Sequence, residues 1–275
     1  MMLPCVRGRD NGMGDKRMDT ALLQQCENNY TACFSQVYED DILIRFRDDQ
    51  MKDMYDHNYT VIKRKCDIEN LKAVISDEIK RCIAEGKDYC EIRISAGIDD
   101  ELPEVPNRVP EITRYCLFYM ADARDFRGKG NANCEIVRID STERAFDRYR
   151  IEHTGYQDKY GADFCLRKSE RNAAVYLASG GADSYVCYAD GRPVGKADLF
   201  VSGGAAMIED FDVIPEYQRK GYGTAILRHL ANVAFRRGVK TVFLVTDMDD
   251  TAKDMYSKLG FTYTPGHTQL FYALK

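Results

Sequence analysis

The stretch Val213–Leu230, "VIPEYQRKGYGTAILRHL", ends an apolar run, passes a proline, and enters a loop of basic residues and glycines before a helical pattern begins. Ile226, Leu227, Leu230, Val233 and Ala234 recur at helical spacing, which predicts a helix from Thr224 to Arg236. Gln218, Arg219, Lys220, Gly221, Tyr222, Gly223 and Thr224 therefore stand at a helix N-terminus. Unpaired N–H groups and the positive end of the helix dipole gather there, a setting that suits a phosphate. Gly221 and Gly223 let the backbone turn tightly and approach a ligand with no Cβ in the way. Arg219 and Lys220 add positive charge. Taken alone, a Gly-x-Gly is also compatible with an ordinary strand-to-helix turn. Other phosphate loops fit worse, because the third glycine of the dinucleotide fingerprint and the Gly-Lys-Ser/Thr of a Walker loop are both missing.

Working outward, Ala206 to Ile214 reads as a strand before the loop. "GVKTVFLVTD" supplies a continuous apolar strand, Thr241 to Val245, after the helix. "DDTAKDMYSKLGF" then places Ala252, Met255, Tyr256 and Leu259 at helical spacing and stops at Gly260. This order of strand, Gln-Arg-Lys-Gly-Tyr-Gly loop, helix, strand and Ala-x-x-x-Tyr-x-Lys-Leu-Gly-Phe resembles the GNAT family of acyl-CoA-dependent N-acetyltransferases. Gln218, Gly221 and Gly223 match one signature; Ala252, Tyr256, Gly260 and Phe261 match the second. The resemblance is specific over Met207 to Phe261 and extends by strand order from about Cys134 to the end.

The resemblance implies an α+β fold: a mixed, mainly antiparallel twisted sheet flanked by helices, with acetyl-CoA or another acyl-CoA in its splayed centre. It also implies transfer of an acetyl group to a primary amine of a small molecule or peptide, by direct attack in a ternary complex. The amides of residues 219 to 224 would cradle the pyrophosphate, and backbone groups near Phe211 and Val213 would pair with the pantetheine arm. Tyr256 is the candidate general acid, since a phenol of pKa about 10 is protonated at neutral pH and can donate to a departing thiolate. Glu209 is the candidate general base, directly or through water. Simple alternation sets it on one strand face with Met207 and Phe211, opposite Asp210 and Asp212. Asp249 occupies a position where the family often has asparagine. A carboxylate there accepts hydrogen bonds but cannot donate as an amide does. The alternative from another class is a non-catalytic CoA-binding or interaction module.

Earlier in the chain the pattern suggests helix, strand, helix and strand between about Cys26 and Gly97. "DILIRFR" (Asp41 to Arg47) gives a strand, and Leu71, Val74, Ile75, Ile79, Cys82 and Ile83 a helical face. This half resembles an incomplete GNAT unit without the glycine loop, as in tandem forms. The expected division is a polar leader over 1–20, a degenerate GNAT-like or accessory domain over 21–130, and a catalytic domain over 131–275. The polar, glycine-bearing stretch Asp122 to Asn133 is the expected linker. A helical segment is expected from about Thr142 to Lys168, with acceptor contacts sought along Arg144 to Phe164. Asp190-Gly191 and Ser202-Gly203-Gly204 are expected turns.

Composition narrows the rest. A net charge of -5 argues against a general nucleic-acid binder. No apolar stretch reaches the ~20 residues of a membrane span. Ten cysteines without a CxxC spacing read as reduced thiols of a cytoplasmic protein rather than as metal ligands. A monomer or homodimer without a metal is expected, and His153, His229 and His267, each isolated, read as structural or surface residues.

Overall fold

The computed structural model describes residues 18–63, 68–95, 102–178 and 181–275. Most of the expected leader, part of the loop expected over 99–110, Cys5 and Cys66 lie outside the described residues.

The first half holds α1 (Thr20–Thr31), β1 (Gln36–Glu39), β2 (Leu43–Arg47), β3 (Thr60–Ile62), α2 (Ile68–Ala84), β4 (Tyr89–Ser95) and β5 (Glu111–Met120). The second holds β6 (Glu135–Arg138), α3 (Thr142–Tyr160), α4 (Ala162–Leu177), β7 (Ala182–Ala189), β8 (Arg192–Ser202), β9 (Ala205–Val213), α5 (Tyr222–Arg236), β10 (Thr241–Asp247), α6 (Lys253–Lys258) and β11 (Thr262–Ala273). The helix expected over Thr142 to Lys168 is two helices, because Gly161 takes φ 86° and ends the first. Both expected turns form: Asp190 and Gly191 take φ 50° and 75°, and Gly203 and Gly204 take 61° and 92°.

All the strands join one 11-stranded sheet in the order β1-β2-β3-β4-β11-β5-β10-β9-β8-β7-β6. Among the described residues, two neighbouring pairs are parallel: β3 with β4, joined through α2, and β9 with β10, joined through α5. The halves also exchange strands. β5 lies between β10 and β11, while β11 lies between β4 and β5. Each half thus repeats the other's parallel crossover and borrows its partner's last strand. The sheet is mixed and mainly antiparallel, is flanked by helices, and carries one parallel crossover in each half.

Strand alternation divides the core. Cys116, Phe118 and Met120 of β5 face α5 and α6, packing with Ile226, Leu227, Leu230 and Tyr256. Leu117 faces the other way, with Leu23, Cys26 and Tyr30 of α1 and Val175 and Tyr176 of α4. One face of the sheet therefore carries α5 and α6, and the opposite face carries α1 and α4.

Candidate functional site

β9 and β10 pair only from Ala205↔Thr241 to Ile208↔Leu244, yet β9 continues to Val213 and β10 to Asp247. Beyond Ile208 each strand stays bonded to its outer neighbour, β8 or β5. A wedge therefore opens in the middle of the sheet, and the edge of β9 inside it has no strand partner. An extended chain can add itself there by backbone pairing.

The glycine loop sits at the mouth of this wedge. Pro215–Tyr217 forms a single 3-10 turn, and the Gln218 amide donates back to the Val213 carbonyl at 2.9 Å, folding the loop onto the end of β9. Arg219 at φ 58° and Gly221 at φ 86° reverse the chain into α5. Among the described residues, no hydrogen bond uses the backbone N–H of residues 219 to 224. Six consecutive free amides at the positive end of a fifteen-residue helix make an anion cradle. A Cβ at Gly223 would come 3.1 Å from the Phe211 ring, and a Cβ at Gly221 would come 3.0 Å from the Asn131 nitrogen.

That second contact was not foreseen. The expected linker is a strap lying across α5. Ala123 N–H donates to Lys240 O at 2.8 Å, Arg127 N–H to Leu259 O at 2.8 Å, and Asn131 N–H to Gly221 O at 2.9 Å. The Asn131 side chain also donates to Lys220 O at 2.9 Å. Asn131 thus ties down the carbonyls of the loop and leaves its amides free.

Glu209 and Tyr256 border the wedge from opposite faces. Burial, followed by the nearby carboxylates of Asp56, Asp210 and Glu27, pushes the Glu209 carboxyl up to about 8. A group near this value exchanges protons readily at neutral pH. Tyr256, on α6, packs among Phe118 and Phe261. Burial, then the charges of Asp250 and Glu209, raise its phenol far above the usual range, so it is held as a donor.

The expected face-sharing of Glu209 with Phe211 does not hold. Asp210 takes φ 47°, and the register slips so that Asp198 opposes Glu209 while Lys196 opposes Asp212. This bulge inserts an extra residue and inverts the alternation. Met207 stays on the α1 side while Phe211 packs with the α5 core. Ion pairs hold the bulged residue in place. The Asp210 carboxylate meets Arg148, Lys168 at 3.3 Å and Lys196 at 2.5 Å, and Glu152 closes the group onto Lys168 at 2.7 Å and Lys196 at 3.0 Å. Arg148 also reaches Asp198 at 3.4 Å. Burial opposes ionisation of Asp210, but Lys168, Lys196 and Arg148 overcome it and hold the carboxyl well below its ordinary range. Three cations balance three carboxylates, so Asp210 is committed to structure.

On the α1 side of the wedge lies a cavity of about 120 Å³, lined from both halves by Glu27, Asp56, Arg93, Asn172, Glu209 and His267 among others. None of its lining comes from Arg144 to Phe164, where acceptor contacts were sought; α4 contributes Lys168 and Asn172 instead. His267 is buried, as a structural residue would be, and it also borders the cavity. It stacks on Tyr115 with ring centres 4.7 Å apart, and burial with Arg93 nearby keeps its imidazole neutral. His153 and His229 do not border the cavity. Asp249 is exposed, its N–H held by Asp247 at 2.8 Å. The carboxylate that organises the turn into α6 is Asp250, which accepts from Ala252 N–H at 2.9 Å and from Thr246 at 2.6 Å.

Comparison with known proteins agrees with this geometry. Residues 144–261 match the model of the Acetyltransferase (GNAT) family. This part of the chain resembles a GNAT acetyltransferase domain. It begins within α3 and runs to the residue after α6, so the wedge, the amide cradle, Glu209 and Tyr256 all fall inside it. Over 95 residues the chain is 34% identical to the uncharacterised N-acetyltransferase CgeE of Bacillus subtilis. That match covers 32% of this chain and 37% of CgeE, so it spans little more than a third of the relative's length. Two solved structures share the fold across both halves. A GCN5-related N-acetyltransferase from Kribbella flavida superposes with TM-score 0.65 at 15% identity, covering 93% of this chain and 95% of that one. A tandem GNAT protein from the clavulanic acid biosynthesis pathway superposes with TM-score 0.52 at 10% identity, covering 90% and 94%. Against the GNAT domain, Asn131, His267 and the group around Arg93 are the features that motif matching could not supply, since they come from the strap, the last strand and the first half.

Proposed function

We propose that the protein moves an acetyl group from acetyl-CoA to a primary amine by direct attack within a ternary complex. The observation that carries this reading is the row of six free amides at the mouth of the wedge, with Glu209 on one face and Tyr256 on the other. In this reading the amides of residues 219 to 224 hold the pyrophosphate, and the open edge of β9 near Phe211 offers backbone pairing to the pantetheine arm; Val213, expected to share in this, already gives its N–H to Asp212 Oδ1 at 2.8 Å and its carbonyl to Gln218 at 2.9 Å. The bound thioester supplies an activated acyl carbon.

The chain's own residues then manage protons. An alkyl ammonium has a pKa near ~10.4, so it must lose a proton before its nitrogen can attack. Glu209, once ionised, takes that proton directly or through water. The C–N bond forms, an N–H on the open edge of β9 stabilises the oxyanion, and the C–S bond breaks. Tyr256 gives its proton to the departing sulfur, and the second proton shed by the acylated nitrogen passes through water to restore the phenol. The cavity on the α1 side admits the amine from the opposite face. The 131–275 span is the catalytic unit in this account. The 21–130 span is a degenerate GNAT-like unit that retains the parallel crossover and has become the wall of the acceptor site. The protein acts in the cytoplasm as a monomer or homodimer, and the free thiols of its eight described cysteines fit a reducing compartment.

Steady-state assay of acetyl transfer by the parent and a Tyr256→Phe variant tests the reading. The phenol has no hydrogen-bond partner among the described residues, so the variant should fold like the parent. Loss of a positioned acid should lower kcat by about 10²-fold or more. A parent that binds acetyl-CoA but turns over no amine would instead identify a CoA-binding module.

A further inference from the structure

The charges around the cavity do not balance. The group at Asp210 is closed, with three cations against three carboxylates. The group at Arg93 is not. Its guanidinium meets Glu91 at 2.9 Å, Asp56 at 2.8 Å and Glu27 at 3.5 Å, and Glu209 stands across the same cavity. Three carboxyl groups thus share one cation, and Glu209 borders the same cavity with no ion pair of its own among the described residues. Each of the three interior ones is raised, chiefly by burial. Burial, only partly offset by Arg93, raises Glu27 and pushes Glu91 up to about 7, while Glu209 reaches about 8. His267 cannot make up the charge, because burial and Arg93 keep it neutral.

Two further polar groups lack partners. His267 is 4% exposed and Asn172 is 3% exposed, and both line the cavity. The His267 Nε2 and the Asn172 Oδ1 make no hydrogen bond within the protein. A buried polar atom without a partner costs free energy that a bound ligand or water can recover. The deficit is therefore of positive charge and of hydrogen-bonding groups, at one place.

We infer that the acceptor is a short diamine, entering with its reacting nitrogen at Glu209 and its second, still protonated ammonium beside Asp56 and Glu27. This rests on the transferase reading and narrows it. The distal ammonium donates to carboxylates that Arg93 alone leaves undercompensated, and the polar atoms of Asn172 and His267 lie along the same space. A cavity of about 120 Å³ accommodates a short chain of this kind. Only the nitrogen at Glu209 loses a proton and forms the amide; the other remains an ammonium in the product.

The test compares 1,4-diaminobutane with butylamine, each in acetyl transfer and in calorimetric binding, for the parent and for Asp56→Asn. The Asp56 side chain is 67% exposed at the mouth, so the substitution leaves the core intact. The parent should favour the diamine in kcat/KM by about tenfold or more, and Asp56→Asn should bring the ratio toward one. Equal use of the two amines by the parent, or an unchanged ratio in the variant, overturns the inference while leaving the transferase standing. If neither amine is acetylated, calorimetry decides. Tighter diamine binding that Asp56→Asn removes keeps the diamine site and sinks the transferase reading, whereas no such preference sinks the diamine site as well.

Discussion

Replacing Glu209 with glutamine should stabilise the protein at high pH while removing its activity. The carboxyl is raised from 4.5 to about 8 in the folded chain. Between those values the folded state binds a proton that the unfolded state has released, so stability falls as pH rises. Above about 8 the loss is complete. The span of about 3.5 pH units, at ~1.36 kcal/mol each, sets an upper bound near ~5 kcal/mol. Glu209 is only partly buried, so solvent screening should reduce this to about 2–3 kcal/mol. Glutamine keeps the shape of the protonated acid and never ionises. Urea unfolding at about pH 4, below the unfolded value, should therefore give parent and Glu209→Gln nearly equal stabilities, and at about pH 9 the variant should be the more stable. Glu91 also titrates in this range, but it is common to both proteins and cancels in the difference. Equal pH dependence in the two proteins would show that Glu209 is an ordinary solvated carboxylate and would remove the physical case for it as the base.

The same raised carboxyl should appear in kinetics: kcat/KM should climb with pH, level off above about 8 as the base ionises, and lose that limb in Glu209→Gln. A flat profile through this range would place the base elsewhere. Lys196 is fully buried and bridges Asp210 and Glu152, so Lys196→Met should cost about 3–5 kcal/mol in chemical unfolding by leaving buried carboxylates uncompensated. A cost below ~1 kcal/mol would mean that the group rearranges freely. Gly130 takes φ 67°, and a Cβ there would meet the Ala225 nitrogen at 2.6 Å. Gly130→Val should displace the strap, lower stability by about 1–3 kcal/mol and weaken acetyl-CoA binding; unchanged binding would show that the strap does not position the loop.

Local chemistry was legible in the sequence, and long-range pairing was not. Asp190-Gly191 and Gly203-Gly204 need only their own backbone freedom, and both turns form where expected. The helix after the glycine loop has a strong apolar stripe, and it forms from Tyr222 to Arg236. By contrast, β1 is exposed along its whole length and β3 has three residues, so neither carries a periodic signal. The exchange of β5 and β11 is decided by sheet order, which no local pattern encodes. The bulge at Asp210 defeated simple alternation because the compensation for its unusual backbone comes from Arg148 and Lys168 on two separate helices. His267 looked isolated in the chain, yet the pairing of β11 with β4 sets it opposite Ser95 and beside the Arg93 group. The cavity beside the wedge was hidden for the same reason, since its walls come from both halves.

The claim that residues 219 to 224 hold acetyl-CoA can be tested directly by thermal unfolding of the parent and of Gly221→Glu across a titration of the cofactor. Ligand at a hundred times its dissociation constant should stabilise the parent by ~2.7 kcal/mol and raise its midpoint. The variant sets a carboxylate against the Asn131 backbone, at a φ of 86° that strains any side chain, and places negative charge in the anion cradle. A midpoint shift in the parent that a folded Gly221→Glu protein lacks is the predicted result. Equal shifts in both, or none in a folded parent, would contradict the account.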